Sequence, residues 1–166
     1  MSYILGVHEL NDPAAVKAAF DAYYRYLESV RERLPPAAFE FATARWHYDP
    51  DDHRSPHDAW VESIHITEPS SGERREQRRI DIQLRLLGSY HDGHLELSYQ
   101  DVQSYSLEAP LMPAGGDRPV GHGDWLVDEI RLSERGHVMH EIRFSTGALW
   151  AIESLNVQCQ WRQLAG

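Results

Sequence analysis

Residues 79–100 read Arg-Ile-Asp-Ile-Gln-Leu-Arg-Leu-Leu-Gly-Ser-Tyr-His-Asp-Gly-His-Leu-Glu-Leu-Ser-Tyr-Gln. Ile80, Ile82, Leu84 and Leu86 alternate with Arg79, Asp81, Gln83 and Arg85, the period-two pattern of a half-buried strand. Asp92-Gly93 carries the residues a tight hairpin turn prefers. Leu95, Leu97 and Tyr99 then alternate with Glu96, Ser98 and Gln100, so the chain returns as a second strand. One dry face and one wet face is the mark of an antiparallel sheet.

Downstream, the alternation slips near Asp101-Val102 and resumes at Tyr105 and Leu107, which predicts a β-bulge. Ile130 and Leu132 lead through Glu134-Arg135-Gly136 to Val138, His140, Ile142 and Phe144. Thr146-Gly147 marks the next turn, before Trp150 and Ile152. A second phase shift precedes Leu155, Val157, Cys159 and Trp161, read as one face. Upstream, Phe39–Tyr48 and Trp60–Thr67 read as two further strands.

The N-terminal part has a different period. Asp12 is an N-cap followed by Pro13 at the first helical position. Val16, Phe20, Tyr23, Leu27, Val30 and Leu34 then fall on one helical face, and Pro35-Pro36 ends the run. The expected fold is α+β, a single domain over 1–166. An amphipathic helix, about 13–34, packs on a curved, mostly antiparallel sheet or partly closed barrel. The β-rich remainder, about 38–163, holds about seven or eight strands.

The 166 residues carry 16 Lys plus Arg against 26 Asp plus Glu, a net charge of -10. That balance argues against a nucleic-acid coat and against adhesion to anionic membranes. Residues 36–77 carry a net charge of -5, half of the whole excess. Met1–Leu10 has no basic start and is not read as a signal peptide, and no apolar run is long enough for a transmembrane helix, so a cytoplasmic location is expected. The single Cys159 excludes an internal disulfide and, in phase with Val157 and Trp161, reads as a buried inert thiol.

The densest chemistry is the loop from Trp46 to Asp58, with three imidazoles and four carboxylates. Imidazole and carboxylate suit zinc or another divalent transition metal, with His47, Asp49, His53 and His57 as candidate ligands. The order matches no metal motif. Pro56 interrupts the His53–His57 spacing, and Asp49, Asp51 and Asp52 lack the glycine and final Glu of a calcium loop. A solvated turn capped by Asp is the plainer reading, and a protein-binding surface the next. His140 reads as a core histidine with one hydrogen bond. Asp128 and Glu129 are neighbours on a strand and point apart. The glycine-rich and proline-rich stretch Ala109–Gly123 reads as a long loop. Phosphate loop, nucleophile elbow, dinucleotide fingerprint and HExxH are all missing from the sequence, so no catalytic residue is assigned and no cofactor is expected.

Two stretches carry a resemblance. Trp46-His47-Tyr48-Asp49 through Trp60-Val61-Glu62-Ser63, and His122–Glu129 through His140–Ser145, resemble small bacterial helix-plus-sheet proteins. Some of those look like immunity proteins of toxin systems. The resemblance implies a binding protein rather than an enzyme, and brings no catalytic motif. The leading expectation is a non-enzymatic module that holds a basic protein through Asp49, Asp51, Asp52, Asp58 and Glu62. The alternatives are a small-molecule-binding or metal-binding protein, or an enzyme, using a barrel mouth, and a homo-oligomer joined by an exposed sheet face.

Overall fold

The alternation around residues 79–100 does become the centre of a sheet. The computed structural model describes residues 2–109 and 121–165. Its strands are β1 (Trp60–Thr67), β2 (Ser70–Ser71), β3 (Gln77–Arg78), β4 (Asp81–Leu87), β5 (Gly93–Leu107), β6 (Trp125–Leu132), β7 (Val138–Phe144) and β8 (Leu149–Gln163). Six of them form one antiparallel sheet in the order β1-β4-β5-β8-β7-β6, and β2 with β3 makes a small ribbon. Ile82, Leu84, Leu86, Leu95, Leu97 and Tyr99 are all buried, as their phase predicts. The register between β5 and β8 shifts between Val102 and Ser104, next to Asp101 with its positive φ of 50°. That is the expected bulge, and it bends two 15-residue strands. The phase change on β8 lies past Leu155, which is exposed, not on the core face.

The turn between β4 and β5 is longer than a two-residue hairpin. Leu87 pairs with His94, and His91 takes the positive φ of 57°. Gly93 is already in the strand, and its lack of a side chain serves another end. A Cβ there would sit 2.1 Å from the Trp161 ring, which lies directly over it.

The first helix, α1 (Pro13–Val30), starts as expected, with the Asp12 carboxylate accepting from the Ala14 amide at 2.9 Å. It tightens into a 3-10 turn at Arg31–Arg33, and Tyr23, Leu27, Val30 and Leu34 are buried. The strand expected at Phe39–Tyr48 does not form. Residues Pro36–Thr43 are a second helix, α2, and the sheet begins at Trp60 rather than near residue 38. Pro36 ends one helix and also starts the next, because its ring presets the helical φ and its missing amide is not needed in a first turn. Phe39 and Phe41 suggested alternation, but the buried set is Ala38, Phe41 and Ala42, a helical spacing.

Of the two expected forms, the curved sheet is the one that forms: it is not closed into a barrel. Its two ends touch at the isolated bridge Trp60–Asp124, where the Asp58 amide donates to the Trp125 carbonyl (2.8 Å) and the Trp125 amide to the Ala59 carbonyl (3.1 Å). α1 lies along the β6 edge and occupies it with tyrosine hydroxyls. Tyr23 donates to the Ile130 carbonyl (2.9 Å) and accepts from the Ile130 amide (2.8 Å). The Tyr26 hydroxyl accepts from the Leu132 amide (2.8 Å), and Tyr48 donates to the Asp128 carbonyl (3.2 Å). Residues 128, 130 and 132 turn the same backbone edge outward, so three hydroxyls satisfy it in register. The loop read at Ala109–Gly123 lies mostly outside the described residues. Among the described residues, no helix is long and apolar enough to cross a membrane.

Candidate functional site

The loop between α2 and β1 is built by its own polar side chains. Asp49 accepts from the Asp51 amide (3.1 Å), Asp52 from the Arg54 amide (3.0 Å), and buried Ser55 donates to the His47 carbonyl (2.9 Å). These Asp-headed turns hold the loop without a core of its own.

The five acidic candidates divide in two. Asp52 is gripped by Arg54 at 2.9 and 2.8 Å, and that hydrogen bond, acting against partial burial, holds its carboxyl down to about 2. Glu62 meets His94 at 3.0 Å and Arg85 at 3.4 Å. Asp49, Asp51 and Asp58 are exposed, and among the described residues no Lys or Arg lies within ion-pair reach of them. Asp58 has only its neighbour His57, at 3.3 Å.

The β4–β5 hairpin loop closes onto this acidic loop. His53 donates to Asp92 at 2.6 Å, and the Tyr90 hydroxyl donates to the Pro50 carbonyl at 3.3 Å. The His53 and Tyr90 rings stack at 4.0 Å. Beside them Trp60 meets His91 edge-on at 4.5 Å and donates its Nε1 proton to Asp124 at 2.9 Å. Trp60 and Tyr90 are each 47% exposed, the most exposed large hydrophobic side chains of the described residues. One surface therefore combines aromatic rings with unpaired carboxylates. Sequence reasoning missed Trp60, Tyr90 and Asp92. The available signal was Tyr90, a large aromatic in a hairpin turn where packing does not call for one.

Behind this surface lies a buried polar cluster. His47, Asp128 and His140 are at most 1% exposed. Asp128 accepts from His47 Nε2 (2.9 Å), His140 Nε2 (2.9 Å) and Trp125 Nε1 (3.0 Å). The second His140 nitrogen accepts from the Tyr99 hydroxyl at 2.8 Å. His47 Nδ1 faces the Phe41 carbonyl at 2.8 Å, which can only accept, so that nitrogen carries a proton. Burial alone would raise the Asp128 carboxyl, but the His47 charge and the hydrogen bonds from His140 and His47 hold it well below the usual carboxylate range. His47 Nε2 in turn faces the carboxylate, so both of its nitrogens sit against oxygens that accept. His140 makes two hydrogen bonds where one was expected. Every imidazole nitrogen in the cluster is occupied, so none is free to serve a substrate.

The metal candidates are scattered by the fold. His47 turns inward to Asp128, His53 pairs with Asp92, His57 lies by Asp58, and Asp49 caps its own turn. Among the described residues no three His, Cys, Asp or Glu side chains are set to hold a metal ion. The open sheet has no barrel mouth. It has instead an outer groove of about 540 Å³ lined by polar side chains such as His65, Gln83 and Gln158. Cys159 is half-buried, and burial pushes its thiol up, which keeps it unreactive. No family model, curated protein or solved structure matches the chain.

Proposed function

We propose that this protein is a non-enzymatic binding module, of the immunity type, for a basic protein partner. The observation that carries the reading is the joined surface of residues 48–60 and 88–92. There Trp60 and Tyr90 stand exposed among Asp49, Asp51 and Asp58, which no Lys or Arg of the described residues neutralises. Exposed aromatics held by stacking and hydrogen bonds lose little entropy on contact and are the side chains that dominate interface energies. Unpaired carboxylates around them steer and select a basic partner. Asp52 and Glu62 belong to the scaffold of this surface, because their charge is spent on Arg54 and on Arg85 with His94.

The test is a binding titration with the purified product of the adjoining reading frame. The affinity is expected to weaken steeply between about 50 and 500 mM salt. Replacing Asp49, Asp51 and Asp58 together by Asn is expected to weaken it by about tenfold or more and to flatten that salt dependence. No binding, or an affinity indifferent to salt and to the triple change, overturns the reading.

A further inference from the structure

A cleft of about 260 Å³ opens beside the acidic loop. Val7, Phe20, Pro50, Pro56, Leu126 and Val127 give it apolar walls from four separate segments. Its floor touches His47, Tyr48 and Asp128, whose polar groups are all committed, the imidazole to Phe41 and Asp128 and the Tyr48 hydroxyl to the Asp128 carbonyl. The floor therefore offers an occupant little beyond apolar contact, and the two other imidazoles of the lining are His8 and His57, the latter with an Nδ1 that makes no hydrogen bond. Its volume falls below the roughly 300 Å³ at which pockets for drug-sized ligands begin, and it suits a single large side chain. Its lip is charged. Asp49 and Asp51 flank the lining residue Pro50, and Asp58 follows the lining residue His57. Two prolines with fixed φ, and Phe20 set edge-on against Tyr48 at 5.3 Å, keep the slot preformed.

We infer that this cleft receives one large apolar side chain of the basic partner, with Lys or Arg on either side of it in the partner chain meeting Asp49, Asp51 and Asp58. The inference rests on the proposed function and adds the anchor to it. A buried apolar anchor ringed by polar contacts is the usual anatomy of an energetic hot spot. Charge complementarity selects the flanking residues, and apolar walls over a spent floor favour an apolar side chain in the slot itself.

The experiment titrates the ¹⁵N-labelled full chain with two peptides, acetyl-Lys-Arg-Trp-Lys-Arg-amide and the same peptide with Ala for Trp. The Trp peptide is expected to bind about tenfold tighter, and to shift the amide resonances of Phe20, Leu126 and Val127. Filling the slot by Leu126→Trp, or by Val7→Phe should the first variant not fold, is expected to abolish the preference for Trp. Equal affinity of the two peptides overturns the anchor while leaving the charged docking surface standing. A preference for Trp that leaves the cleft resonances unmoved, or that survives the filled slot, also overturns the anchor. Binding of neither peptide overturns both.

Discussion

Asp128 is a residue whose local pattern and whose role point in different directions. It sits in phase with Ile130, so its side chain had to enter the core, the same argument that marks His140 as buried. An acid so placed must find donors, and it finds three, on an α2-following loop, on β7 and on its own strand. Replacing Asp128 by Asn would swap a carboxylate that accepts from three buried donors for an amide with one acceptor oxygen, leaving buried donors unsatisfied. The expected loss is about 1–3 kcal/mol, read from urea unfolding. The pH dependence has a defined sign. Asp128 is held well below its ordinary range, and the Arg135 hydrogen bond, against the cost of burying the carboxyl, holds Glu153 down to about 2. Folded values below unfolded ones stabilise the protein at pH above about 4, and that stability drains away as pH falls toward 2 and below. The same urea series should show a midpoint dropping over that window, with a shallower drop in the Asp128→Asn variant. Glu129, its neighbour, shows the complementary case. It points to the opposite face, as strand geometry requires, yet it is also fully buried, accepting from the amides of Tyr3 (2.7 Å) and Ile4 (2.8 Å). Nothing in the alternation of β6 foretold a lid over its second face.

At the scale of elements, strands and the first helix followed their periods closely, because each buries one face and its apolar residues record which. The miss was α2, where eight residues are too few for a helical period to outweigh two phenylalanines spaced two apart. Gly93 teaches a related lesson. Asp92-Gly93 has turn chemistry, but the glycine is required by the indole of Trp161, 68 residues away along the chain and adjacent only across the sheet. The β6 edge is the third instance. α1 was expected to bury an apolar stripe, and Tyr23 does so, but its hydroxyl also closes both outward backbone groups of Ile130. Tyr23→Phe keeps the packing and leaves those two buried groups unsatisfied. Unfolding free energy is expected to fall by about 1–3 kcal/mol, with faster hydrogen exchange at the Ile130 amide. Unchanged exchange at Ile130 would show that the hydroxyl does not guard the edge.

For the whole molecule, the proposed binding surface depends on two loops meeting. His53 and Asp92 stand 39 residues apart and join them at 2.6 Å. An exposed pair of this kind contributes at most about 1 kcal/mol to stability. His53→Ala is therefore expected to leave the melting temperature within about 2–4 °C while weakening partner binding severalfold, because Tyr90 loses its stacking partner. Equal binding by this variant would mean that Tyr90 needs no such support. The sequence by itself determined the α+β class, the amphipathic helix with its cap, the strand alternation, the bulge and the place where negative charge concentrates. Each of these is written in neighbouring residues, since the backbone repeats every two or 3.6 residues and burial reads that repeat directly. Only the tertiary structure decided which acids stay unpaired, that His47 turns inward to an aspartate 81 positions away, and that the sheet stays open with tyrosines along its edge. Those outcomes depend on strand order and helix docking, which bring together residues with no shared local period, so no pattern along the chain could carry them.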